Sequence, residues 1–217
     1  MKRTLFFLLL FFIMNTLSAQ IQKTYYENGQ IKQVGEYLNG KQVGIWKAYS
    51  DNGKLNVFAQ FENGKPTNEW KFYHYNGALK EIGKFHNGLK IGEWKSFYDN
   101  GKLKEIGKFK DGKFQDKWKV FYKNSILKEV GNYKNGEPIG KWKEYHTNGK
   151  IKSVGEFING KTSGEWKGYY DNGKLSSIGK YDNGNRNGKW VLYYENGKIK
   201  ETATFENGTM IESSENN

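Results

Sequence analysis

The sequence predicts an all-β protein: an elongated, single-layer antiparallel β-meander, a solenoid-like ribbon of eight 24-residue, two-stranded repeats. Three observations predict it. The seven tryptophans, Trp46, Trp70, Trp94, Trp118, Trp142, Trp166 and Trp190, recur every 24 residues with no insertion or deletion. A fixed period of that size marks one structural step stacked on its neighbours. Each unit also carries two Asn-Gly-type turn signals, and Asn-Gly favours the left-handed backbone of tight hairpins. Composition agrees: 15 Tyr, 14 Phe, 27 Gly and only two prolines suit strands joined by tight turns.

The first element is a leader. Lys2 and Arg3 precede an uncharged apolar run from Leu5 to Met14, and Leu17-Ser18-Ala19 offers a cut before Gln20. Residues 1–19 therefore read as a secretory signal peptide. The apolar run falls short of the roughly 20 residues of a membrane span. An uncleaved N-terminal anchor is the rival reading. Export places the mature chain in the periplasm, on the surface or outside the cell, with no transmembrane helix left after cleavage. It also argues against cytosolic partners, so no nucleic acid is expected.

The β-repeat array then spans residues 20–212. Its first unit, 22–45, is degenerate: Gln22 stands in the tryptophan position, while Tyr25, Asn28-Gly29, Ile31, Val34-Gly35, Tyr37 and Asn39-Gly40 fall in register. Loss of the tryptophan at an end suits a capping repeat. Units starting at 46, 70, 94, 118, 142, 166 and 190 follow, and 213–217 is a polar tail expected to fray.

Counting from each tryptophan as position 0, position 3 is aromatic and position 6 is Asn in every unit. Position 7 is Gly except Ser125, and position 9 is Leu or Ile. Position 12 is apolar except Thr202, position 13 is Gly in the five central units, and position 15 is aromatic. Positions 17 and 18 are Asn-Gly, with Asp111-Gly112 the one variant. Strands are expected at positions 0–4 and 8–15, sixteen in all. A three-residue first loop sets position 3 opposite 9 and position 0 opposite 12. A second loop of about five residues sets position 12 opposite the next tryptophan. One face then carries a Trp–Ile row, and the other a Tyr–Leu row with the position-15 aromatic beside it. Lys71–Glu81, Lys95–Glu105 and Lys119–Glu129 become exposed cross-strand pairs, each worth little. Between Phe114 and Leu127, Gln115-Asp116 and Asn124-Ser125-Ile126 break the consensus, which reads as sequence drift, with a bent or specialised unit as the alternative.

The stretch EIGKFxNGKxxGxWKxYYxNG resembles the MORN repeat. Gly83, Gly107, Gly131, Gly155 and Gly179 match that pattern's first glycine, and Phe85, Phe109, Tyr133, Phe157 and Tyr181 its aromatic. Asn87-Gly88 matches its turn, and Gly92, Gly140, Gly164 and Gly188 its later glycine. Tryptophan stands where the family has its next glycine, and the unit is one residue longer. In this it is similar to the variant MORN repeat of bacterial proteins, including the YwqK-type antitoxin family. The resemblance implies a protein-interaction scaffold, with anionic lipid as a further target of such arrays.

No residue pattern points to catalysis, so a non-enzyme without cofactor or metal is expected. The absence of cysteine excludes disulfides, Cys-ligated zinc and thiol chemistry. His74 and His146 occupy position 4, three units apart, too distant to share a metal. Catalysis needs a unique constellation, and a near-uniform ribbon offers few places for one. The formal charge of +12, or +10 without Lys2 and Arg3, attracts anionic partners in general.

The favoured function is an exported interaction scaffold with a protein partner. An antitoxin or immunity role and a glycan or cell-wall binder are the alternatives, with anionic lipid a further partner. The tryptophan series reads as a structural ladder. The position-4 residues Tyr98, Tyr122, Tyr170, Tyr194, His74 and His146 are the candidates for partner contact. Buried tryptophans would make the ladder a spine, and exposed, grouped ones a binding surface.

Overall fold

The computed structural model describes residues 18–215. The predicted leader up to residue 17 lies outside them. Within the described residues the chain is one open antiparallel sheet of eighteen strands, with no helix. The strands are β1 (Gln20–Tyr25), β2 (Ile31–Leu38), β3 (Lys41–Tyr49), β4 (Leu55–Glu62), β5 (Lys65–Pro66), β6 (Asn68–Tyr73), β7 (Leu79–His86), β8 (Leu89–Phe97) and β9 (Leu103–Lys110). They continue with β10 (Lys113–Phe121), β11 (Leu127–Lys134), β12 (Glu137–Tyr145), β13 (Ile151–Ile158), β14 (Lys161–Tyr169), β15 (Leu175–Asp182), β16 (Asn185–Tyr193), β17 (Ile199–Glu206) and β18 (Thr209–Glu215).

The two strands beyond sixteen have local causes. Thr67 breaks one strand into β5 and β6, both paired with β4. β18 opens a ninth step and runs three residues into the predicted tail, pairing Ser213 with Ala203 and Glu215 with Glu201.

The first loop has the expected three residues. Around Asp99–Gly101, the Tyr98 N–H donates to the Lys102 carbonyl and the Gly101 N–H to the Tyr98 carbonyl, with Gly101 at φ 80°. That is a tight turn closed by one left-handed residue, the common three-residue hairpin. Ser125 adopts the same backbone at φ 71° without glycine's freedom. The second loop has two residues where about five were expected. Asn87 and Gly88 sit at φ 48° and 82°, both left-handed as a type I′ turn requires. Asp111 fills the same place at φ 50°.

The short loop carries β8 five residues before its tryptophan, and a bulge then resets the register. Lys84 faces Ile91 and Ile82 faces Lys95, so Gly92, Glu93 and Trp94 oppose the single residue Gly83. Gly92 enters the bulge at φ 66°. This explains the glycine two places before most tryptophans. Asn68 and Asp116 hold the equivalent φ at 54° and 60°. The unit that departs from consensus therefore keeps the common backbone and is not bent.

A second bulge, in the first hairpin, overturns the expected register: Phe97 faces Leu103 as expected, but Ser96 faces Glu105, leaving Lys104 as an extra residue. Trp94 faces Gly107, and Lys95 faces Ile106. Position 12 is thus away from the tryptophans on both sides and pairs with the position-1 lysines. The three proposed Lys–Glu pairs are not cross-strand partners: Lys71 faces Ile82, Lys95 faces Ile106 and Lys119 faces Val130. Lys71 and Lys95 instead meet Glu69 and Glu93 of their own strands at 2.7 and 2.8 Å. The position-15 aromatic joins the tryptophan's face, because the shift changes which residues share it.

Candidate functional site

The tryptophan face is built on bare backbone. Six of the seven indoles lie across a position-13 glycine of the preceding strand, and Trp70 follows Ala59 instead. A methyl on Gly83 would sit 2.1 Å from the Trp94 ring, and one on Gly131 would sit 2.1 Å from Trp142. Only hydrogen fits there. The position-15 aromatics fill the gaps between indoles. From Tyr37 to Phe205 the rings alternate in an unbroken edge-to-face series with centroids 5.0–6.5 Å apart. Such pairs stabilise by about 0.5–1.5 kcal/mol beyond area burial. Trp46, Trp94, Trp118, Trp142 and Trp190 are 8% exposed or less, and with Ala59 and Ala203 they are the buried core. Trp70 and Trp166 are half-buried.

The position-4 column stitches repeats together. The hydroxyls of Tyr98, Tyr122 and Tyr170 donate to the carbonyls of Phe121, Tyr145 and Tyr193 at 2.5–2.7 Å. Nε2 of His74 donates to the Phe97 carbonyl at 2.9 Å, and that of His146 to Tyr169 at 2.8 Å. Two histidines replace tyrosine because both reach the same acceptor. The polar tips of five of the six partner-contact candidates are thus spent inside the protein. Tyr194, at 43%, is the most exposed of them.

Position 6 explains its own invariance. The Oδ1 of Asn148 accepts from the Lys150 N–H, fixing its own turn, and its Nδ2 donates to the Asp171 carbonyl of the next repeat. Asn28, Asn52, Asn76 and Asn124 make the same two bonds.

Two outer features remain. On the face away from the indoles, Lys47, Lys71, Lys95, Lys119, Lys143 and Lys167 alternate across strands with Phe58, Ile82, Ile106, Val130 and Val154. Their stems cover apolar side chains while their ammonium groups stay wet. On the tryptophan face, position 11 meets position 2 across strands. Ser96 Oγ donates to Glu105 there, while Glu129 faces Glu144 directly. Burial, and then the Glu144 charge, raise the Glu129 carboxyl above its ordinary range.

The sequence pattern of the MORN repeat variant matches residues 21–39, 42–63, 66–87, 90–111, 117–135, 138–159, 163–183 and 186–207, each match ending in a type I′ turn. The chain belongs to the MORN repeat variant family. No curated protein matches it. Among solved structures it is similar to TcdB2-TccC3-Cdc42 at 13% identity and to TcdB2-TccC3-TEV at 12%. The matches cover 86% and 84% of this chain but 14% and 12% of those chains, at a TM-score of 0.20 in both.

MORN repeats are in general binding modules for proteins or membranes, and an all-β repeat array fits a non-enzymatic module. Among the described residues no three His, Cys, Asp or Glu side chains are grouped to hold a metal ion, and no helix is long and apolar enough to cross a membrane. Sequence reasoning treated the position-11 carboxylates of these MORN units as solvated. It missed that Glu129 and Glu144 share a half-buried cleft. The signal was Glu144 itself, the one acid at position 2.

Proposed function

We propose that the chain is an exported, non-enzymatic interaction scaffold of the cell envelope or extracellular space, with a protein partner docking on its outer surface. One observation carries this reading: the repeat's conserved chemistry is turned inward. Indoles, position-4 tips and position-6 amides bind neighbouring repeats, which leaves the periodic lysine row Lys47 to Lys167 as the outward display. Lys71, Lys95 and Lys167 of that row are ion-paired with Glu69, Glu93 and Glu165, and its remaining cations suit an elongated, acidic protein surface. Burial of five tryptophans below 9% exposure weighs against sugars stacking on the ladder.

The test is capture by the immobilised full chain from envelope and culture-medium fractions, beside a Lys95→Ser, Lys119→Ser, Lys143→Ser triple variant. The reading expects a specific protein that the triple variant releases. Equal capture by both, or retention of anionic vesicles alone, contradicts it. Mass spectrometry checks export, with an exported chain beginning at Gln20 as the expected product and a full-length cytoplasmic chain as the contrary one.

A further inference from the structure

On the tryptophan face each repeat boundary forms a seat from three positions: residue 11 of one unit, the next tryptophan, and the residue four before that tryptophan. Lys90 fills one seat from within the chain. Its ammonium lies 2.6 Å from a Glu81 carboxylate oxygen, 3.9 Å from the Trp94 ring centroid and 5.2 Å from that of Phe109. A cation held by a carboxylate over aromatic faces is a favourable arrangement, here half-buried.

Two repeats on, the same positions hold Glu129, Pro138, Trp142 and Phe157. The glutamate and the rings are kept, and the lysine is gone. Glu144 replaces Ser96 and adds a second carboxylate directly across from Glu129. Glu144 reaches Lys152 at 3.4 Å, whereas Glu129 meets no base within ion-pair distance among the described residues. A cleft of about 290 Å³ opens there, lined by the two glutamates, Pro138 and Phe157 together with Tyr133, Lys143, Ser153 and Trp166. Trp142, 7% exposed, lines it too, and its indole N–H is buried without an acceptor, while that of Trp94 donates to the Lys84 carbonyl. Other seats are closed differently: Phe114 packs on Phe109 and Trp118 at 4.8 and 4.6 Å, and Arg186 covers Trp190 at 4.6 Å, while the Trp166 seat has Ser153 in place of the glutamate.

We propose that the Glu129–Glu144 cleft is a binding site for an alkylammonium group, seated against Trp142 and Phe157 as the chain seats its own Lys90. A bound cation removes the repulsion between the facing carboxylates and supplies the charge that Pro138 omits. The site opens on the tryptophan face, with Lys143 of the lysine row at its border, and stands independently of the scaffold reading.

The test titrates the full chain with n-pentylammonium, a lysine side chain's length, at fixed ionic strength, with 1-pentanol as the uncharged control and tryptophan fluorescence as the readout. Saturable binding is expected, weakened at least tenfold in Glu129→Gln and abolished in Pro138→Lys, where a built-in lysine takes the seat. Circular dichroism reports that each variant is folded, and Pro138→Lys copies a residue the fold already accepts at Lys90. Equal binding of 1-pentanol, unchanged affinity in both variants, or no saturation by wild type up to roughly 100 mM overturns the proposal. Nα-acetyl-lysine-methylamide distinguishes the source: tighter binding than pentylammonium assigns the group to a protein chain, and equal binding to a free amine, both supporting the seat.

Discussion

Gly107 has no room for a side chain because the Trp118 indole lies on it: a methyl there would come within 1.7 Å of Cε3. The same relation holds at Gly35, Gly83, Gly131, Gly155 and Gly179. It makes the glycine and the tryptophan one structural unit. Gly107→Ala must lift the ring or shift the strand, at a cost of about 1–3 kcal/mol. Urea unfolding should show a lower midpoint, with a red-shifted tryptophan emission before unfolding. An unchanged midpoint contradicts the packing.

Ser125 holds φ 71°, where the other units have glycine. Left-handed backbone costs a non-glycine residue about 1 kcal/mol. Ser125→Gly is therefore expected to raise thermal stability, slightly offset by greater freedom of the unfolded chain. Calorimetry reads the sign directly, and a fall in the melting temperature refutes the strain.

Asn148 and Asn100 provide a comparison within one protein. Asn148 bonds its own turn and the next repeat, while Asn100 makes only the turn bond among the described residues. An exposed hydrogen bond contributes about 0.5–1 kcal/mol. Asn148→Ala should thus destabilise more than Asn100→Ala. Equal losses would mean that the inter-repeat bond contributes nothing in solution.

The Tyr122 hydroxyl donates to the Tyr145 carbonyl across a repeat boundary. Tyr122→Phe keeps the ring and orphans that acceptor, for a loss of about 1 kcal/mol. Tyr122→His should recover part of it, since His74 and His146 reach the same carbonyl in their own units. Failure of histidine to do better than phenylalanine contradicts the stitch.

Glu129 titrates above the ordinary carboxylate value of 4.5, chiefly through burial and then through Glu144, with Lys128 opposing. The folded state therefore holds this proton more tightly than the unfolded chain. The ionised form penalises folding above the folded pKa, and the penalty fades as pH falls toward 4.5. Lys152, paired with Glu144, and Lys143 and Tyr133 beside the cleft are the other titratable groups nearby. Glu129→Gln should raise the melting temperature at pH 7, with the gain shrinking on acidification. A gain that is constant with pH removes the titration from the account.

Much of this architecture is legible in the sequence because the repeat repeats its punctuation. Trp, Asn-Gly and the position-3 and position-9 partners set the count, the strand type and the first loop. The second hairpin was misread for a physical reason. Asn87-Gly88 alone closes the turn, and the residues gained are spent in a bulge at Gly92. A bulge adds residues to one strand only, so no alternation pattern reveals it, and the one-residue bulge at Lys80 in the first hairpin puts Phe85 on the face of Trp70. The Glu129–Glu144 cleft was hidden for the same reason, since its members meet only in the bulged register.

Iodide quenching of tryptophan fluorescence in the folded full chain tests the central claim, that the ladder is an internal spine. The structure predicts that most of the emission is shielded, with the accessible share coming from half-buried Trp70 and Trp166 and lost in a Trp70→Phe, Trp166→Phe double variant. Uniform quenching of all seven, unchanged in that variant, would place the indoles in solvent and contradict the account.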